Sequence, residues 1–121
     1  MGVRAVRGAI QIDANDAAVI RAGTTELVEQ VLTRNELGPD DLISCVFTVT
    51  DDLDADFPAA AARQMGLDQV PLLCAREIPV PGSLERVVRV LVHYNDTRDA
   101  AAEHVYLRGA QALRPDLDSA Q

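Results

Sequence analysis

Residues Arg86 to Tyr94 read RVVRVLVHY, and this stretch decides the fold. Val87, Val88, Val90, Leu91 and Val92 are branched aliphatic residues, and the valines in particular favour extended backbone over helix. A strand that is apolar at odd and even positions alike is covered on both faces, so it belongs inside a sheet. Arg89 interrupts the run. A guanidinium held there without a partner is strongly destabilising, so an anion must face it. That anion is either an internal carboxylate in a structural salt bridge or a bound ligand.

Working outward, Pro79, Pro81 and Gly82 form a turn, since proline cannot donate to a central ladder. Val70 to Ala75 precedes it as another strand. Downstream, a short helical turn is expected near Asp99 to Glu103, then an extended piece from Val105 to Leu113. Toward the N-terminus, Ile43 to Thr50 (ISCVFTVT) reads as a buried strand and Val3 to Ile12 as the first one. Between them Ala17 to Leu37 is a helix, with Ile20, Leu27, Val31 and Leu32 on one stripe and Thr24 among them. Asp13, Asn15 and Asp16 are its cap candidates, and Gly38-Pro39 its stop. A second helix spans Pro58 to Met65, with proline near its first position and Gly66 after its last. The order β-α-β-α-β-β plus a terminal segment predicts an α+β fold, a mixed β-sheet with helices packed on it. Residues 1–121 are expected to form one domain.

Composition narrows the function. Aromatics are only 3% of the chain and Trp is absent, so the core must be aliphatic. Small cores of this kind gain by burying surface between subunits, which favours an oligomer. The net charge of −8, without a basic stripe, argues against nucleic acid as partner. Every basic residue is Arg, so Schiff-base chemistry and a P-loop lysine are both excluded. Cys45 and Cys74 stand alone, MGVRAVRGAI lacks the apolar core of a signal peptide, and no run is long enough to span a membrane. A cytoplasmic location is the expectation.

Arg7 shares a strand face with Val3, Ala5 and Ala9, and a long cation among small apolar residues reads as a pocket floor. Arg4 lies on the opposite face and reads as a solvent or interface residue. Two strand arginines suit a ligand with separated carboxylates, because the guanidinium fork matches carboxylate geometry. Glu77 closes the strand that carries Cys74. By alternation the two should face opposite ways, so lining one pocket together would require the strand to bulge or end between them. Asp52, Asp54 and Asp56 imitate the start of an EF-hand loop, but Phe57 and Arg63 stand where that loop needs Gly and Glu. Asp56 reads as helix-start chemistry and its neighbours as a solvated loop. No metal and no cofactor are expected, and His93 and His104 are too isolated for zinc.

Four segments in order, VRAVRGAI, FPAAAARQMG, VPLLCAREIPVPGSLERVVRV and HVYLRGAQALRPDL, together resemble the monofunctional chorismate mutases of the AroH class over nearly the whole chain. The resemblance implies a homotrimer forming a pseudo-α/β barrel, with active sites between subunits that convert chorismate to prephenate. It implies that Arg7 and Tyr106 hold substrate carboxylate, that Arg89 meets the breaking ether oxygen, and that Glu77 and Cys74 stand at the ring hydroxyl. Phe57, Ala59 and Arg63 match wall residues lent by a neighbour, and Leu113 and Arg114 match the C-terminal edge. Leu73 belongs to the same wall, where the family often has Thr, and Ala60 replaces a frequent Lys. The absence of a nucleophile or cofactor motif then makes sense, because a pericyclic shift needs neither. Two other functions fit a cleft with arginines: a trimeric enamine/imine deaminase of related fold, and a metabolite-sensing module without catalysis.

Overall fold

In the computed structural model, which describes residues 2–113, the RVVRVLVHY stretch lies at the centre of a five-stranded mixed sheet. Its strands are β1 (Gly2–Gln11), β2 (Leu42–Val49), β3 (Leu72–Arg76), β4 (Val87–Asp96) and β5 (Val105–Leu107). They are ordered β3-β2-β4-β1-β5. β4 runs antiparallel to both β1 and β2, whereas β2 with β3 and β1 with β5 are parallel. A parallel pair needs a crossover, and α2 (Pro58–Ala62) lies in the one between β2 and β3.

The two sheet faces differ sharply. Val6 and Ile10 of β1, Phe47 of β2, and Val88, Val90 and Val92 of β4 share a hydrophobic core with Ile20, Leu27, Val28 and Val31 of α1 (Ala17–Arg34). Each such side chain contributes roughly 1.5–3 kcal/mol by leaving water. Gly8 lets the helix lie directly on β1: a Cβ there would sit 2.9 Å from Leu27 Cδ1 and 3.1 Å from Val31 Cγ2. On the other face a smaller cluster of Ala9, Val87 and Ala110, flanked by Leu84, Tyr106 and Leu113, covers only one end. The rest of that face carries the candidate site.

α1 begins where the capping residues predict, with Asp16 accepting a hydrogen bond from Val19 N–H. It ends at Arg34, three residues earlier than Gly38-Pro39 implied. Asn35 stops it: its side chain donates to the Val31 and Glu103 carbonyls and accepts from the Glu103 N–H, while Glu36 turns left-handed with φ 53°. That use of Asn35 also explains why the expected turn near Asp99 to Glu103 is not helical. The segment is held by side chains instead, with Asp96 Oδ1 accepting from the N–H groups of Arg98 and Asp99. The last extended piece is shorter than expected as well. Only Val105–Leu107 pairs in the sheet, Arg108 turns left-handed (φ 55°), and Arg108–Leu113 winds into a 3₁₀ segment. The second helix is α-helical to Ala62 and widens into a π-turn at Arg63–Leu67, where Gly66 adopts φ 97°.

Arg4 is not a plain solvent residue. It forms an ion pair with Asp96, whose side chain is almost fully buried. The guanidinium's hydrogen bond, aided by the two backbone N–H donors, holds the Asp96 carboxyl down at about 2. The acidic loop is likewise used piece by piece. Asp52 accepts from Arg86 N–H, Asp54 from the Asn15 side chain, and Asp56 pairs with Arg21 at 3.0 Å. Among the described residues no group of His, Cys, Asp and Glu is gathered as metal ligands would be, and no helix is long and apolar enough to cross a membrane.

Candidate active site

Strand alternation selects which side chains share the open face. Register places Thr48 of β2 opposite Arg89 of β4, Arg89 opposite Ala9 of β1, and Ala9 opposite Tyr106 of β5. The next rung on this face runs from Leu73 through Val46 and Leu91 to Arg7. Arg7 and Arg89 are therefore diagonal neighbours on adjacent strands, about 7–8 Å apart at the backbone. Two fixed cations at that spacing suit two anionic groups of one small molecule.

These residues line a cleft of about 450 Å³ formed by Arg7, Gly8, Val46, Thr48, Arg89, Val90, Leu91 and Tyr106. Its floor is aliphatic and its polar groups are few, the usual make-up of a small-molecule site. Its two charged lining residues, Arg7 and Arg89, are both cations, in a chain whose net charge is −8. A second cleft of about 210 Å³ lies beyond Glu77 beneath the Pro79 to Leu84 turn, lined by Asp51, Asp52 and Glu85. Those carboxylates would repel an anion, so the arginine cleft is the one suited to an acidic ligand.

Arg89 has an internal partner. Its Nε donates to Glu77 Oε2 at 2.9 Å, and Thr48 Oγ1 donates to the same oxygen at 2.8 Å. The Arg89 side chain is still 37% exposed and that of Glu77 17%, so the pair sits at the cleft wall and is reachable by a ligand. Of the two alternatives left open by the sequence, the internal salt bridge is present, and it leaves the Arg89 side chain accessible to an anion as well. Glu77 reaches it because its N–H bonds the Val49 carbonyl at 2.9 Å, carrying the β2–β3 pairing one residue beyond the end of β3. It thus keeps the face of Leu73 and Ala75.

The sequence-predicted residues divide accordingly. Arg7, Arg89 and Tyr106 line the cleft, with Glu77 bonded at its wall and Leu73, 62% exposed, on the same face. Cys74 keeps the alternation: its thiol packs with the core on the helix side, away from Glu77. Phe57, 67% exposed, and Arg63 stand on the helix layer and do not line this chain's cleft. Ala59 is buried in the chain's own core. Leu113 packs beside Tyr106 and Ala110, and Arg114 lies outside the described residues. Thr48, Val46 and Leu91 are additions that sequence reasoning did not single out. A hydroxyl in the apolar strand ISCVFTVT was the available signal for Thr48, but only register puts it opposite Arg89.

The chain matches the family model described as chorismate mutase type I over residues 3–117. It is 51% identical over 121 residues to chorismate mutase AroH of Thermus thermophilus, covering 98% of this chain and 99% of that one. Against chorismate mutase AroH of Bacillus subtilis it is 34% identical over 119 residues, covering 97% and 94%. The solved structure of a chorismate mutase from Clostridium thermocellum superimposes with a TM-score of 0.88 at 49% identity, covering 91% of this chain and 99% of that one. The deaminase and metabolite-sensing readings gain no support from these relatives. By sequence over nearly its whole length, and by fold, this chain belongs to the type I chorismate mutase family.

Proposed function

We propose that the arginine cleft is where this protein, as a chorismate mutase, rearranges chorismate to prephenate on the route to phenylalanine and tyrosine. One observation carries the assignment to this cleft. Two cations, one carboxylate and a tyrosine converge on an aliphatic floor sized for a compact dianion. In the reaction the ether C–O bond breaks and a new C–C bond forms within one molecule, with no proton, electron or group exchanged. The protein's part is to hold the chair-like conformer and to favour the charge separation of the transition state. Arg7 and Tyr106 take a substrate carboxylate. Arg89 faces the ether oxygen, where negative charge grows as C–O cleavage runs ahead of C–C formation, and its strand keeps it preorganised for that charge. Glu77 accepts the ring hydroxyl and opposes positive charge on the ring. Cys74 supports the strand that carries Glu77, while Leu73 extends the wall.

A homotrimer completes the site. Phe57 and Arg63 are exposed but do not reach their own cleft, the outer edge of β3 has no strand partner among the described residues, and Leu73, Ile78 and Val80 expose apolar surface. A neighbouring subunit whose Phe57 to Arg63 segment closes the cleft accounts for all three. Ala59 would take part by anchoring that segment, and Leu113 with Arg114 would form the C-terminal edge. The enzyme works in the cytoplasm without metal or cofactor. The test is to mix purified protein with chorismate and follow its loss against prephenate formation. Chorismate that binds but does not turn over would overturn the assignment.

A further inference from the structure

Glu77 Oε2 accepts two hydrogen bonds, from Thr48 Oγ1 at 2.8 Å and from Arg89 Nε at 2.9 Å. Thr48 and Arg89 face each other across the β2–β4 ladder, so both donors sit on rigid strands. Glu77 itself lies one residue past the end of β3, where its backbone N–H donates to the Val49 carbonyl at 2.9 Å. Among the described residues, Glu77 Oε1 and the two terminal nitrogens of Arg89 make no hydrogen bond. One oxygen of the carboxylate is thus engaged twice while the other is left for a ligand, and the guanidinium is held by Nε with its side chain 37% exposed.

We propose that Thr48 is a positioning residue for the reaction. Its hydroxyl, sharing Oε2 with Arg89 Nε, fixes the Glu77 carboxylate so that Oε1 meets the ligand and the Arg89 terminal nitrogens meet the anion. This rests on the chorismate mutase reading of the cleft. The physical need is plain. An ion pair between two long side chains has many near-equal geometries, and a partly exposed pair gains little by choosing one. A β-branched side chain has few rotamers, so the hydroxyl of a threonine paired with a strand on either side is a fixed donor. It converts a variable pair into one geometry, which is what transition-state stabilisation requires.

The experiment compares Thr48→Val, which keeps shape and β-branching, with Thr48→Ser, which keeps only the hydroxyl. Steady-state kinetics with chorismate should show Thr48→Val losing kcat on the order of tenfold, as expected for one hydrogen bond to a charged group, with KM changing less. Thr48→Ser should retain most of kcat, and melting temperatures should not follow that order. In a Glu77→Ala background Thr48→Val should cost nothing further, because there is no carboxylate left to orient. If Thr48→Val is insoluble, Thr48→Ala against Thr48→Ser makes the same comparison. Wild-type kcat in the hydroxyl-free variant, equal losses in the Val and Ser variants, or additive losses on Glu77→Ala would each overturn the role. Inactive wild-type protein would instead overturn the chorismate mutase reading beneath it.

Discussion

Arg89 of β4 and Glu77, just past β3, meet at 2.9 Å although β2 lies between their strands. Adjacent strands are about 4.8 Å apart, so the two side chains reach toward each other over the top of Thr48. A cation and a carboxylate brought together across an intervening strand neutralise one another without closing the cleft. The arrangement keeps a charged pair at the wall of a cleft whose floor is aliphatic, and the consequences can be measured.

Arg89→Ala should lower kcat far more than it weakens binding, since the charge Arg89 is proposed to meet is greatest in the transition state. Losing a preorganised donor of this kind costs about 3 kcal/mol, or about a hundredfold in rate. Arg89→Lys should rescue poorly, because an ammonium cannot serve Glu77 and the ligand together as a planar fork does. Steady-state kinetics beside sedimentation of each variant decides the matter. A folded Arg89→Ala enzyme with near-normal kcat would end the mechanism.

Cys74→Ala should keep substantial activity, whereas Glu77→Ala should lose far more. The Cys74 thiol faces the core, and the Glu77 carboxylate is bonded to Arg89. Burial pushes the Cys45 thiol up to about 11, so mild alkylation of the native enzyme should spare it and label it only after unfolding. Mass spectrometry of the alkylated protein reads both thiols at once. Rapid labelling of native Cys45 would contradict the packing of β2.

Arg7→Ala and Arg63→Ala chains should each be nearly inactive alone and regain some activity when mixed. In a hybrid interface of the proposed trimer, an intact Arg7 cleft would meet an intact Arg63 segment. The measurement is kcat of trimers reassembled from differently tagged chains and purified through both tags. Verified mixed trimers without recovery would refute the shared site.

Stability should fall as the solution is acidified from about pH 4 toward pH 2. The Asp96 carboxyl sits at about 2 in the fold, against roughly 3.9 in an unfolded chain. The unfolded state therefore takes up its proton first as pH drops. The stabilisation is fully present above the unfolded value and is lost as pH falls through the folded one. Asp96→Asn should flatten the dependence of unfolding free energy on pH across that window. Denaturant titrations at several pH values check it, and an unchanged slope would mean that the Arg4 pair contributes nothing.

The strands and helices were legible because their signals are local. The valines around Arg89 specify an internal strand, the stripe from Ile20 to Val31 specifies the packed face of α1, and Asp16 caps it as its type predicts. The misread pieces share another cause. The stretch from Asp99 to Glu103 is shaped by Asn35 and Asp96, side chains on other elements, and Asn35 also ends α1 ahead of Gly38-Pro39. Propensity does not register the Asn35–Glu103 pairing, because the two residues are 68 positions apart in the chain.

For the site, chain order alone determined that Arg89 and Arg7 sit in apolar strands and that Cys74 and Glu77 alternate. Collinear segments also carried the resemblance to the mutases. Only the tertiary structure decided that the partner of Arg89 is Glu77, that Thr48 stands between them, and that Phe57 and Arg63 lie away from their own cleft. Alternation along a strand is set by covalent geometry, so it can be read from sequence. Which strand lies beside which, and in what register, depends on packing across the whole sheet, and that is where the site is assembled.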